Sequence, residues 1–252
     1  MRETKRRSNL PVIRLNMVLA LMVILALGLA EGAAADRFTD TFRLQDCSWS
    51  VNGTNPFFKL RSGYQIVIEG EDEGAEIRQE ITVLREFERI TLEIDGVERT
   101  VRTRVVEERE FEDGEIVEIS RNFYARCRQT NDVYYFGEDS TDFEDGEPVS
   151  TQGTWKAGQN GARPGIIMPG TFLKGARYYQ EYAPEDEALD RAQNAAMGLT
   201  IETALGTFTD CVGTIETTPL DPESEGVKAY CPGVGIVMDE ELMLTEINQT
   251  NR

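Results

Sequence analysis

The chain has 252 residues and a formal net charge of −19, from 45 Asp and Glu against 26 Lys and Arg. A field of that sign repels phosphate backbones and anionic headgroups, so nucleic acid and membrane surfaces are poor partners, whereas cations and basic proteins are better ones. There is no histidine, and none of the four cysteines forms a CxxC, so zinc and copper sites lack their usual ligands and a serine hydrolase lacks its base.

Taken in chain order, the first residues read as a secretory leader. Arg2, Lys5, Arg6, Arg7 and Arg14 precede an apolar run from Met17 to Ala30, and Ala33-Ala34-Ala35 follows it before Asp36. That order fits a signal peptide over 1–35, and the run is shorter than the roughly 20 residues a spanning helix needs. The expectation is a secreted or periplasmic protein without a mature membrane anchor, folded as a single β-rich domain over 36–252. An even number of cysteines in an exported chain implies disulfides.

From Tyr64 to Phe136 strand patterns follow one another. Ile90, Leu92 and Ile94 alternate with Thr91 and Glu93, and Asp95-Gly96 and Asp113-Gly114 punctuate the run as tight turns. The pattern predicts an antiparallel meander. Its polar face carries Glu98, Arg99, Arg102, Arg104, Glu107, Glu108 and Arg109, read as solvated. An acidic turn region, Gly137 to Glu147, and a Gly-rich stretch, Gly153 to Gly170, come next. Strands resume at Arg177 to Tyr182, Leu199 to Glu202, Thr207 to Thr217, Gly226 to Cys231 and near Glu241 to Ile247, with one short helix over Glu185 to Ala196 after Pro184. The fold class is therefore mainly β, a sandwich or a strongly curled sheet with one short helix.

The disulfide pairing follows from register. Strands flanking the loop Pro219 to Glu225 form a hairpin centred near Asp221 or Pro222, which sets Cys211 opposite Cys231 and leaves Cys47 with Cys127.

Several blocks carry a family resemblance: Asn55-Pro56-Phe57-Phe58, Tyr134-Tyr135-Phe136-Gly137-Glu138-Asp139, Gly153-Thr154-Trp155-Lys156-Ala157-Gly158, Gly161-Ala162-Arg163-Pro164-Gly165-Ile166-Ile167-Met168, Tyr178-Tyr179-Gln180-Glu181 and Tyr230 with Gly233-Val234-Gly235. In their order the chain resembles a family of uncharacterised secreted bacterial proteins. Tyr134 stands where similar sequences usually read Trp. The resemblance implies an exported soluble protein and no particular activity.

Three chemistries compete with bland alternatives. Glu138, Asp139 and Asp142 offer oxygen ligands to calcium, which would make this a calcium-stabilised structural domain, although their spacing is not that of an EF-hand; the bland alternative is a solvated acidic loop. Glu138 or Asp139 facing Glu181 would suit a carboxylate-pair hydrolase acting on saccharides, with Trp155 and Tyr178 as platforms. The segment Trp155 to Met168, with Arg163 and Tyr178, would suit a non-enzymatic protein binding a small ligand or an envelope or extracellular partner. Its bland alternative is that Trp155 and Ile166 plug the β core. A curled sheet with an apolar hollow would instead carry a lipid.

Overall fold

Sixteen strands form one antiparallel sheet in the computed structural model, which describes residues 37–53 and 55–250. Residues 1–35, expected to form a signal peptide, lie outside the described residues. After β1 (Trp49–Ser50), strands β2 (Tyr64–Asp72), β3 (Ala75–Ile94), β4 (Val97–Glu112), β5 (Glu115–Cys127) and β6 (Val133–Glu144) build the expected meander, and β1 pairs with the end of β5. Its turns work as the sequence requires: Asp95 and Gly96 hold φ of +54° and +72°, and Asp113 and Gly114 hold +49° and +85°, the paired left-handed conformations that match strand twist.

The remaining strands are β7 (Glu147–Ser150), β8 (Trp155–Lys156), β9 (Arg163–Met168), β10 (Arg177–Tyr179), β11 (Glu181–Tyr182), β12 (Arg191–Thr203), β13 (Gly206–Thr217), β14 (Glu225–Cys231), β15 (Gly235–Asp239) and β16 (Leu242–Gln249). Hydrogen bonding runs in the order β10-β12-β13-β14-β15-β16-β2-β3-β4-β5-β6-β9-β11. The two end strands are therefore one stretch of chain, interrupted only at Gln180. The sheet curls until its ends meet there, and no ladder closes it. At that corner the Gln180 and Glu181 backbone amides both donate to the Asp190 carbonyl, at 2.8 and 3.1 Å.

Both expected disulfides form, the first as the strand register requires. Val212 pairs with Tyr230 and Gly213 with Ala229, so the next pair out is Cys211 with Cys231, at a Cα separation of 4.2 Å. Cys47 joins Cys127 at 5.0 Å, tying the segment before β1 to the end of β5.

Three expectations need correction. Residues 185–196 are not a helix: a 3-10 turn occupies Pro184–Asp186, and β12 begins at Arg191. Local helix preference there yields to pairing on both sides, by β10 and β13, which buries Ala192 and Asn194 in a period of two. Most of the acidic turn region is strand, with only Asp145-Gly146 at the tip between β6 and β7. The charged face of β4 is not uniformly solvated, because Arg104 is 3% exposed and Glu108 faces inward. Strand β15, which carries Asp239, is an addition to the strands that the sequence pattern predicts.

Candidate functional site

The inner face of the curled sheet encloses a hollow of about 400 Å³. Strand alternation decides what lines it. Tyr64 and Ile66 of β2, Val106, Glu108 and Glu110 of β4, and Glu118, Ser120, Asn122 and Tyr124 of β5 all point inward at every second position. The far wall brings Glu216 of β13, Lys228 and Tyr230 of β14, and Asp239 of β15. Glu138 of β6, and Glu181 and Asp190 beside the corner, complete the lining of acids.

By their bonded partners these groups fall into two poles, and the Lys228 charge of the first reaches Glu108 and Glu181 of the second. At one, the Lys228 ammonium lies 3.3 Å from Glu216 Oε2 and 3.1 Å from Asp239 Oδ2. Burial alone would lower the Lys228 pKa, but the two carboxylates outweigh it and hold it well above its ordinary value. The Gln180 side-chain amide also donates to Glu216, at 2.8 Å.

The other pole holds Glu108, Glu138 and Glu181 around Tyr124, whose hydroxyl feels all three charges. Burial pushes the Glu108 carboxyl up to about 7. Glu138 also rises to about 7, chiefly through burial, with Glu108 adding like charge. Glu181 is held well above the carboxylate range by burial and then by Glu138. The Tyr135 hydroxyl sits between Asn122 Oδ1 and Glu138 Oε2, the latter at 2.8 Å. It has one proton to give, so with Glu138 protonated the carboxyl donates to Tyr135 and Tyr135 donates to Asn122. The Glu108 and Glu181 carboxyls accept no hydrogen bond and form no ion pair among the described residues.

The residues singled out from sequence separate. Trp155 is 2% exposed and meets the Tyr135 ring edge-on at 5.3 Å, with its indole N–H lacking a partner. Met168 is fully buried, and Tyr178 donates to Asn194 Oδ1 at 2.9 Å. Arg163 lies over the Tyr182 ring, 3.9 Å from its centroid. None of these four lines the hollow; Trp155 and Ile166 pack in the core. Of the three calcium candidates, Asp139 points to the outer face, where Lys156 pairs with it at 2.9 Å. Glu138 and Asp142, opposite Asn122 and Glu118, point inward. No three acidic side chains converge to hold a metal ion among the described residues.

Glu138 and Glu181 do share the hollow, without Asp139 or Trp155. Sequence reading missed Glu108, Glu216, Lys228, Asp239, Tyr124 and Tyr230 as partners in one site. Period-two alternation marks each as facing one side of its strand, but only the closing path of the sheet brings those sides together.

Comparison with known proteins gives no matching family model, no matching curated protein and no matching solved structure. The cavity itself therefore carries the functional reading.

Proposed function

We propose that this is a non-enzymatic exported protein that binds a small polar ligand inside its curled sheet. One observation carries the reading: a hollow of about 400 Å³ into which the Glu108 and Glu181 carboxyls and the Tyr124 and Tyr230 hydroxyls face with no hydrogen-bond partner among the described residues. Burying polar groups unsatisfied is costly, so a fold that keeps them around an open space is suited to a ligand that satisfies them. A lipid fits poorly, because its chain would strip water from those carboxylates and return nothing. Two disulfides are compatible with an oxidising compartment, and no described helix is long and apolar enough to cross a membrane.

The test is native mass spectrometry of protein recovered from its own export compartment. A copurifying small molecule is expected, and it should disappear when Ser120, which faces the hollow, is replaced by Trp. Near-ultraviolet circular dichroism would establish that the variant folds, and Val106→Phe provides a second way to fill the space. Recovery of the folded protein with nothing bound, or undiminished binding in both filled variants, would sink the reading.

A second reading, the carboxylate-pair hydrolase, rests on Glu138 and Glu181 sharing the hollow, where burial raises both and the Glu138 charge raises Glu181 further. It requires turnover of a saccharide that both Glu138→Gln and Glu181→Gln abolish. Trp155, packed beneath Tyr135, offers no stacking platform to a sugar in the hollow.

A further inference from the structure

We propose that the ligand is an organic cation, a primary amine or amidine on a small carbon frame, with its cationic head among Glu108, Glu138 and Glu181. This rests on the hollow being a binding site, and it names the chemical class of what enters.

The protein supplies its own comparison. Lys228 places an alkyl ammonium between Glu216 and Asp239. The other pole has three carboxylates with no Lys or Arg ion-paired to them among the described residues: the Lys228 charge reaches Glu108 and Glu181, but its ion pairs are made to Glu216 and Asp239. Glu138 has a neutral partner, Tyr135, whereas the Glu108 and Glu181 side chains have no hydrogen-bonded or ion-paired partner among the described residues. A second ammonium would complete at this pole what Lys228 completes at the other.

Two further groups point to a ligand independently of charge. Tyr124 and Tyr230 are 4% and 5% exposed, both line the hollow, and neither hydroxyl has a hydrogen-bond partner among the described residues. A phenol held this deep ordinarily finds one. Each can accept from an N–H, and the tyrosine ring faces favour a cation. The hollow already shows that contact, with Lys59 Nζ 4.2 Å from the Tyr64 ring centroid.

Other ligand classes fit less well. A calcium ion takes about six to eight oxygens at about 2.3–2.6 Å, and no three acidic groups come close enough here to hold one. An anion would meet mostly carboxylates, since Lys59 and Lys228 are the two cations in the lining and Lys228 is already ion-paired. A neutral polyol would satisfy hydroxyls but, at a pH where these carboxyls ionise, leave their charge uncompensated. Cavity size sets the scale, because about 400 Å³ lies near the small end of ligand pockets.

The experiment is isothermal titration of the disulfide-bonded protein at pH 8 with 1,4-diaminobutane and agmatine, against 1,4-butanediol and calcium chloride. The amines should bind and the diol should not. The double variant Glu108→Gln/Glu181→Gln should weaken amine binding by about tenfold or more without lowering the melting temperature, since amides relieve buried charge. Should the double variant fail to fold, Tyr124→Phe, which keeps the ring and removes the hydroxyl, should still weaken binding several-fold. Equal binding of diol and diamine, or calcium displacing the amines stoichiometrically, would overturn the cation assignment while leaving the hollow a binding site. Amine binding unchanged in both variants would place it elsewhere and overturn it too. If every probe fails and the Ser120→Trp experiment shows no bound molecule, the assignment falls together with the reading beneath it.

Discussion

Glu108 follows Glu107 and precedes Arg109, and the strand sends it the opposite way from both: Arg109 and the buried Glu107 pair at 2.7 Å on the other face of β4, and Glu108 turns into the hollow. Its carboxyl, held at about 7, lies above the ordinary 4.5. A group raised in the fold binds its proton more tightly there than in the unfolded chain. Its contribution is therefore fully present below about pH 4.5 and lost as pH rises through about 7. Glu138, also at about 7, acts in the same direction. Melting temperature should fall between pH 5 and pH 8. Glu108→Gln should flatten that slope and raise the pH 8 value by about 2–4 °C for each kcal/mol of charge burial relieved. Scanning calorimetry at the two pH values checks this, and an unaltered slope in the variant would count against the inward placement. Little of this was legible in the sequence. Period two tells that Glu107 and Glu108 differ in side, but in a chain with 45 acids it does not tell which side is enclosed.

Strand β3 is the longest, from Ala75 to Ile94, and it does not run straight. Pairing with β4 breaks between Val83 and Phe87, so that Leu84, Arg85 and Glu86 bulge out of register. Arg104 holds this break. Its guanidinium donates to the Leu84 carbonyl at 3.1 Å, the Val51 carbonyl at 3.1 Å and Asn52 Oδ1 at 2.9 Å, and it lies over the Phe87 ring. One planar fork thus joins the bulge to the segment after β1. An ammonium cannot reproduce that geometry. Arg104→Lys should leave a buried carbonyl unsatisfied and cost about 1–3 kcal/mol, read as a lower denaturation midpoint with unchanged slope. The hairpins were legible because Asp-Gly carries its own conformational signature. The bulge was not, since Leu84-Arg85-Glu86 has neither glycine nor proline to mark it. For the same reason residues 185–196 read as helix: Ala and Glu state a local preference, and the pairing that overrides it comes from residues elsewhere in the chain.

On the scale of the whole molecule, the fold depends on where the sheet returns to itself. Gly165 of β9 lies against the corner so closely that a Cβ there would stand 2.3 Å from the Gln180 carbonyl oxygen and 2.4 Å from that of Tyr179. Both neighbours are backbone and cannot swing aside. Gly165→Ala should push β9 away from the corner, lowering stability by several kcal/mol and weakening ligand retention together. Gly161→Ala carries local strain at a φ of +76°, but nothing lies within 4 Å of its Cβ, so it should spare retention. Limited proteolysis near Gln180 would report the opening, and a Gly165→Ala variant as resistant as the parent would contradict it.

The hollow continues into an outer recess bordered by Asp72, Glu240 and Glu241. That rim bears on how fast a ligand arrives, separately from how tightly it is held. Acids around a low-dielectric opening concentrate field lines, so an incoming cation is drawn toward the mouth before it touches the wall. Its association rate should then fall steeply between low salt and physiological salt, where screening acts over about 8 Å, whereas its dissociation rate, set inside, should change little. Neutralising Glu240 and Glu241 should slow capture of a diamine in stopped-flow mixing and leave its residence time intact.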